Sequence, residues 1–263
     1  MDNEKSIRQI QDEYKDTSDA MLPAFIDEYI KDGRPGVSKI ISQAQKKMVK
    51  LQHERARVLK MTEFEKKYCE YEYICGIDEV GRGPLAGPTV AGAVVLPKDL
   101  LIYYINDSKK LSETRREKLY DEIMEKAVAA SVGIVSVESI NETDNISLSV
   151  HEAMRQAIDK LEVKPDLLLV DAVRIPEVTI KQVPIVKGDA KSISIAAASI
   201  IAKVTRDRLM DEYDQKYPEY GFASHKGYGT AQHIEALKKH GPCPIHRMSF
   251  EPIKSLFAEK QPF

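Results

Sequence analysis

The chain has 263 residues, with 39 Lys and Arg against 41 Asp and Glu for a formal net charge of −2, and it is 43% apolar and 30% charged. That apolar share supports a real core and rules out disorder throughout, and the length suits one large domain or one domain with a small extension. No apolar run nears the ~20 residues that span a bilayer, the opening MDNEKSIRQIQDEYKD lacks the basic start and apolar stretch of a signal peptide, and the near-neutral charge leaves any nucleic-acid binding to a local basic face.

Two compositions meet near residue 71. Residues 1–70 are polar. Ile7, Ile10 and Tyr14 recur at helical spacing, the cluster Asp32-Gly33-Arg34-Pro35-Gly36 breaks that pattern, and Ser38 reads as the cap of a second helix carrying Ile40, Ile41, Ala44, Met48 and Leu51. Apolar density is low, so these helices are expected to pack on something else or weakly on each other, and no chemistry-bearing cluster stands out. From Tyr71 strands and helices alternate. Strands are predicted over 73–77, 90–96, 132–137, 167–170 and 179–186, and helices over 112–130, 149–161 and 192–217. The first half of the last helix, IAAASIIAKV, is apolar nearly all round and so is buried, whereas its second half is amphipathic. This interleaving indicates an α/β domain at 72–263 behind a helical N-terminal extension, 1–71. Cys69, Cys75 and Cys243 fit neither a disulfide framework nor a zinc site, so a reduced, cytoplasmic protein is expected.

Two predicted strands end in acid: Asp78-Glu79 after YICGI, and Asp171 after LLLV. Asp189 precedes the long buried helix. Ligand sites in open α/β sheets lie beyond the carboxyl ends of strands. Carboxylates gathered there repel unless a cation lies between them, and an oxygen-only donor set favours Mg²⁺ or Mn²⁺ over zinc. Any one of these acids could simply close a strand. All four together require a reason for charge at the edge of the core.

Directly after the paired acids comes Gly81-Arg82-Gly83-Pro84-Leu85-Ala86-Gly87-Pro88. Its glycines allow close backbone approach to a ligand. It is neither a Walker loop nor a dinucleotide fingerprint, because no Gly-Lys-Ser/Thr and no helix follow. Taken alone it reads as a turn. Lys109 and the pair Lys191-Ser192 each stand before a predicted helix start, where phosphates bind, although taken singly each reads first as a solvated cap. Tyr228, framed by Gly227 and Gly229, has room to present its ring to a sugar or base. From Lys181 to Arg247 there are 11 Lys and Arg against 7 Asp and Glu, which suits a surface that tracks a nucleic-acid backbone. His225 and His246 read as loop residues at a substrate or plain surface.

In this order, YICGIDEVGRGPLAGPTVAGAVVLP, NDSKKLS, LLLVDA, KGDAKSISIAAASIIAKVTRD, HKGYGT and HRMSF resemble bacterial ribonuclease HII over about residues 72–250. The resemblance implies a ribonuclease H-like fold, a mixed five-stranded sheet flanked by helices. It implies Asp78, Glu79, Asp171 and Asp189 as the acidic catalytic and metal-binding positions, with Mn²⁺ or Mg²⁺. Gly81, Arg82 and Gly83 match the loop whose backbone reads the 2′-hydroxyl of the scissile ribonucleotide, and Tyr228 matches the tyrosine that stacks on the adjoining deoxyribose. Lys109, Lys191 and Ser192 are then phosphate contacts. The implied substrates are RNA–DNA hybrids and DNA duplexes containing single ribonucleotides, cut to 3′-hydroxyl and 5′-phosphate ends by a monomer that acts in genome maintenance. The alternatives within and outside the enzyme class are ribonuclease HIII, which also carries an N-terminal extension, and a silent nucleic-acid-binding module.

Overall fold

The computed structural model describes residues 5–257. They divide into two compact units, one up to Leu59 and one from Lys60 onward.

In the first unit, α1 spans Ile7–Asp16, α2 Leu22–Tyr29 and α3 Pro35–Met61. A capping box between Ser6 and Gln9 opens α1. Helix α3 begins at Pro35 rather than after Ser38. The fixed φ of proline suits the first helical position, and the Ser38 hydroxyl turns back to the Arg34 carbonyl at 3.3 Å. Contrary to the expectation of weak packing, the three helices share a core of their own, in which Ile10, Leu22, Phe25, Val37 and Ala44 are buried.

The second unit opens with the short helix α4, Glu63–Lys67, followed by β1, Ile74–Val80, and β2, Thr89–Val95. Next come α5, Glu113–Lys126, and β3, Ala129–Val135. Helices α6, Val137–Thr143, and α7, Ile146–Asp159, lead to β4, Leu167–Asp171, and β5, Lys181–Ile185. Helix α8, Ile193–Lys216, is the longest of this unit, and α9, Phe222–His225, α10, Ala231–His240, and α11, Ile253–Phe257, complete the described chain. The five strands form one sheet in the order β3-β2-β1-β4-β5. Strands β1–β2 and β2–β3 pair antiparallel, whereas β1–β4 and β4–β5 pair parallel. This is the mixed five-stranded sheet flanked by helices that the resemblance implies.

Alternation along the strands gives the sheet two buried faces. Cys75, Ile77, Leu168 and Val170 pack on one side with Val150, Met154 and Ala157 of α7. Ile74, Leu167 and Leu169 pack on the other with Ile195 of α8, and Phe64, Tyr68 and Tyr71 join them. The first half of α8 is buried nearly all round, as its composition predicts. Its second half departs from simple amphipathicity, because Arg206 and Asp207 are buried as well. Helix α6 falls where the third strand is predicted to end. The Ser136 side chain accepts from the Ser139 amide and starts a helix there instead.

Candidate active site

The parallel register pairs Ile77 of β1 with Val170 of β4. One residue further along both strands, Asp78 and Asp171 stand side by side at the carboxyl edge of the sheet. Asp78 is buried. Burial, then the charge of Glu79, then that of Asp171, push its carboxyl well above the usual range, opposed by a hydrogen bond with Ser199 of α8. Glu79 is also pushed up, by burial and by Asp171, while Arg82 and Lys109 draw it back down. Asp171 Oδ1 accepts the Gly188 amide at 2.6 Å, which fixes the Gly188–Ala190 turn that carries Asp189. Asp189 is half-buried and raised by desolvation, by Asp107 and by Asp171. All four acids therefore share one electrostatic neighbourhood.

Nearby ion pairs fall on other acids: Lys110 on Asp107, and Arg116 and Lys203 on Asp207. None of the four acids has an ion-pair partner among the described residues. Successive strand residues face opposite sides, so Asp78 and Glu79 leave β1 in different directions. Among the described residues no three of His, Cys, Asp and Glu close into a preformed metal cage. An open set of carboxylates, with water and phosphate oxygens completing the shell, is the arrangement that Mg²⁺ commonly uses.

The glycine loop follows β1 without a break. Gly81 has φ +93°, open to glycine with little strain. Among the described residues the amides of Arg82 and Gly83 have no intramolecular acceptor. The Tyr228 ring is exposed and close by, since a Cβ on Gly83 would lie 4.0 Å from Tyr228 Cε1. Lys109 is exposed and acts electrostatically on both Glu79 and Asp189. Lys191 is exposed and forms no ion pair with the four acids among the described residues.

His225 and His246 are not surface residues. Both are buried, together with His233. The Cys243 amide donates to His246 Nδ1 at 2.8 Å, which leaves the proton on Nε2. That proton is shared with His233 Nε2 at 3.0 Å, and His233 Nδ1 in turn donates to the Tyr228 carbonyl at 2.9 Å. Burial holds both rings neutral, each pushed down to about 4. The histidines brace the backbone that presents Tyr228. The expected basic surface also needs correction. Arg206 and Arg247 are fully buried, and Lys203 is committed to Asp207 at 2.7 Å. Part of the positive excess between 181 and 247 is therefore interior.

Ser192 is not a phosphate contact. It is fully buried as the cap of α8, and its hydroxyl donates to Glu65 Oε1 at 2.6 Å. Glu65 Oε1 also accepts the Ser194 amide at 3.1 Å, so the carboxyl of α4 occupies the helix terminus where sequence reasoning expects an external anion. Its Oε2 is buried and has no hydrogen-bond partner among the described residues, and desolvation pushes the group up. The sign follows. A raised folded pKa adds stability below the unfolded pKa, which is lost as pH rises through the folded value. Glu65→Gln keeps the acceptor and drops the charge, so it should be at least as stable as the parent at pH 8. Glu65→Ala orphans the cap and should cost about 1–2 kcal/mol in urea unfolding. Equal stability of the Ala variant would remove Glu65 from this role.

The sequence profile of ribonuclease HII matches residues 75–253, and that of the ribonuclease HII N-terminal domain matches residues 6–69. A ribonuclease HII of Lachnoclostridium phytofermentans is 63% identical over 230 residues, 88% of this chain and 89% of that one. One from Acetivibrio thermocellus is 55% identical over 216 residues, 81% of this chain and 84% of that one. Among solved structures, ribonuclease H2 of Pyrococcus horikoshii OT3 superposes with a TM-score of 0.60 at 29% identity, covering 72% of this chain and 98% of that one. The profile match over most of the chain and these identities show that the chain belongs to the ribonuclease HII family, metal-dependent endonucleases of the ribonuclease H type.

Proposed function

We propose that the enzyme cuts the RNA strand of RNA–DNA hybrids and also nicks DNA duplexes at single embedded ribonucleotides, using two divalent cations, Mn²⁺ or Mg²⁺, held by Asp78, Glu79, Asp171 and Asp189. The carrying observation is that four mutually repelling carboxyls lie together, without ion-pair partners among the described residues, beside a loop with two free amides. The donor set fits hard divalent ions: it is all oxygen, and three of its members are raised by burial next to like charge. When bound, such ions lower the pKa of water and stabilise the charge that develops on the leaving oxygen.

The chain's own groups then position the substrate. The Arg82 and Gly83 amides offer donors to a ribose 2′-hydroxyl, the one group that separates RNA from DNA at a given site. Using that contact to set the scissile phosphate against the acids turns recognition into orientation. Lys109 offers a cation to a neighbouring phosphate, and Lys191 is retained as a more distant contact of the same kind. Tyr228 presents its ring to the sugar on the adjoining deoxynucleotide. The division into a helical extension, 1–71, and a catalytic region, 72–263, rests on composition.

Tyr228→Ala should lose about 1–3 kcal/mol of stacking. The loss in kcat/KM should be larger on a duplex with a lone ribonucleotide than on a long hybrid, where many registers are productive. Equal losses on the two substrates would count against junction reading. The function itself is tested with a labelled DNA duplex carrying one ribonucleotide, incubated with and without Mg²⁺ or Mn²⁺. Cleavage only with metal, and only on the 5′ side of a phosphate that becomes the new 5′ end, is expected. An intact duplex under both metals, alongside cleavage of a long hybrid, would restrict the enzyme to hybrids.

A further inference from the structure

Arg206 and Arg247 are both fully buried, yet neither has an ion-pair partner among the described residues. Their N–H groups go to backbone carbonyls instead. Arg206 donates from Nε to Pro88 O at 2.9 Å, from Nη2 to Ala86 O at 3.0 Å and from Nη1 to Lys226 O at 2.9 Å. Arg247 donates from Nη2 to Gly81 O at 2.6 Å and Gly87 O at 2.8 Å, from Nη1 to Arg82 O at 3.2 Å and from Nε to Gly87 O at 3.1 Å. Two buried cations without counter-charges are costly, and here the cost is offset by the backbone carbonyls that each one satisfies. The choice of carbonyls has a consequence for the loop.

Peptide geometry dictates it. In a planar trans peptide the C=O and the following N–H point in opposite directions. The peptide that ends in Gly81 O carries the Arg82 amide, and the one that ends in Arg82 O carries the Gly83 amide. Arg247 grips both carbonyls from inside, so both amides are turned outward. These are the two amides that lack an acceptor. Arg206 joins the far end of the same loop to Lys226, two residues before Tyr228. A Cβ on Gly227 would come 2.4 Å from Ala86 O, so the two loops are already in close contact there.

We propose that Arg247, with Arg206 behind it, is the positioning residue for ribose discrimination: the guanidinium pair holds the glycine loop by its carbonyls and so aims two amides at the 2′-hydroxyl. This rests on the reading of Gly81-Arg82-Gly83 given above. Lysine cannot substitute, because one ammonium group cannot span carbonyls that a planar fork reaches together. Neither arginine touches substrate; both act through the loop.

The test compares full-length wild type, Arg247→Lys and Arg206→Lys on two duplexes of one sequence, one with a single ribonucleotide and one all DNA. Cleavage of the first gives kcat and KM, and titration of the second gives Kd. Circular dichroism and thermal unfolding report the folded fraction. Loss of aim should lower kcat/KM on the ribonucleotide duplex by about a hundredfold, chiefly through kcat. Affinity for the all-DNA duplex, which rests on phosphate contacts, should stay within about twofold. Arg206→Lys should show the same split to a smaller extent. A purely structural role would lower both readouts in proportion to the folded fraction, and that result overturns the proposal. Unchanged kinetics in the folded variants overturns it too, as does failure of both variants to fold, since general scaffolding is then their role. If wild type itself does not cut the ribonucleotide duplex, the underlying reading of the loop fails, an outcome separate from any result with the variants.

Discussion

Asp78→Asn should lower kcat by about a thousandfold while leaving affinity for an RNA–DNA hybrid nearly intact. Asp78 is a buried carboxyl whose like-charged neighbours Glu79 and Asp171 push it above the normal range. Asn keeps its size and its contact with Ser199 but removes the charge that a divalent ion would pair with. On the proposed reading hybrid binding rests on phosphate and loop contacts elsewhere, so it should survive. The same substitution should raise the Tm of the metal-free protein. Because the folded pKa of Asp78 is raised, its contribution to stability is present below the unfolded pKa and is lost as pH rises through the folded one. The Asn variant has no such group to titrate, so its stability should gain on that of the wild type as pH rises. Each kcal/mol of relief corresponds to about 2–4 °C in a domain of this size. Added Mn²⁺ should stabilise the wild type more than the variant, because binding to the folded state alone raises stability by linkage. Thermal melts with and without metal, beside hybrid cleavage and binding, check all three expectations. Full turnover in the variant, or an equal metal-induced Tm shift in both proteins, would remove Asp78 from the metal site.

Gly76→Ala should leave little folded enzyme, with a loss of about 3 kcal/mol or more. A Cβ at position 76 would lie 2.1 Å from the Ser194 carbonyl carbon and 2.4 Å from the Ile195 amide. Both are backbone atoms at the start of α8, so no rotamer change relieves the overlap. The helix must lift from the sheet. Gly92, next to β1, makes a similar approach, with a Cβ position 2.3 Å from Ala198 O. Lifting α8 would move Ser199 away from Asp78 and shift the turn that carries Asp189, so activity should fall even in the fraction that folds. Urea unfolding of Gly76→Ala and Gly33→Ala makes the comparison internal, because a Cβ at Gly33 meets nothing within 4 Å. Equal stability of the two variants would mean that the contact at Gly76 yields easily.

The sheet and the four acids were legible because both rest on local rules. Apolar runs that end in acid mark strands whose carboxyl ends meet charge, and the run YICGIDEV even continues through the acids, since β1 extends to Val80. Ser112 was readable as the cap of α5, and its side chain does accept from the Arg115 amide. The misread positions share a different cause. His225 and His246 sit in polar sequence but are buried, because α9, α10 and the segment after Gly241 fold over one another around Phe222 and Leu237. Ser192 carries the signature of an anion site, and the site is filled by Glu65, 127 positions earlier in the chain. No local pattern announces a partner so far away.

By sequence alone, this protein's fold class, its acidic quartet and its glycine and tyrosine loops are determined, because periodicity, capping and short motifs are properties of neighbouring residues. Tertiary structure decided which polar residues face inward. Arg206 and Arg247 count toward a basic surface in a one-dimensional reading, and each is buried against backbone from a distant segment. A buried polar group needs a partner, and only the folded chain reveals which carbonyl or amide it has found.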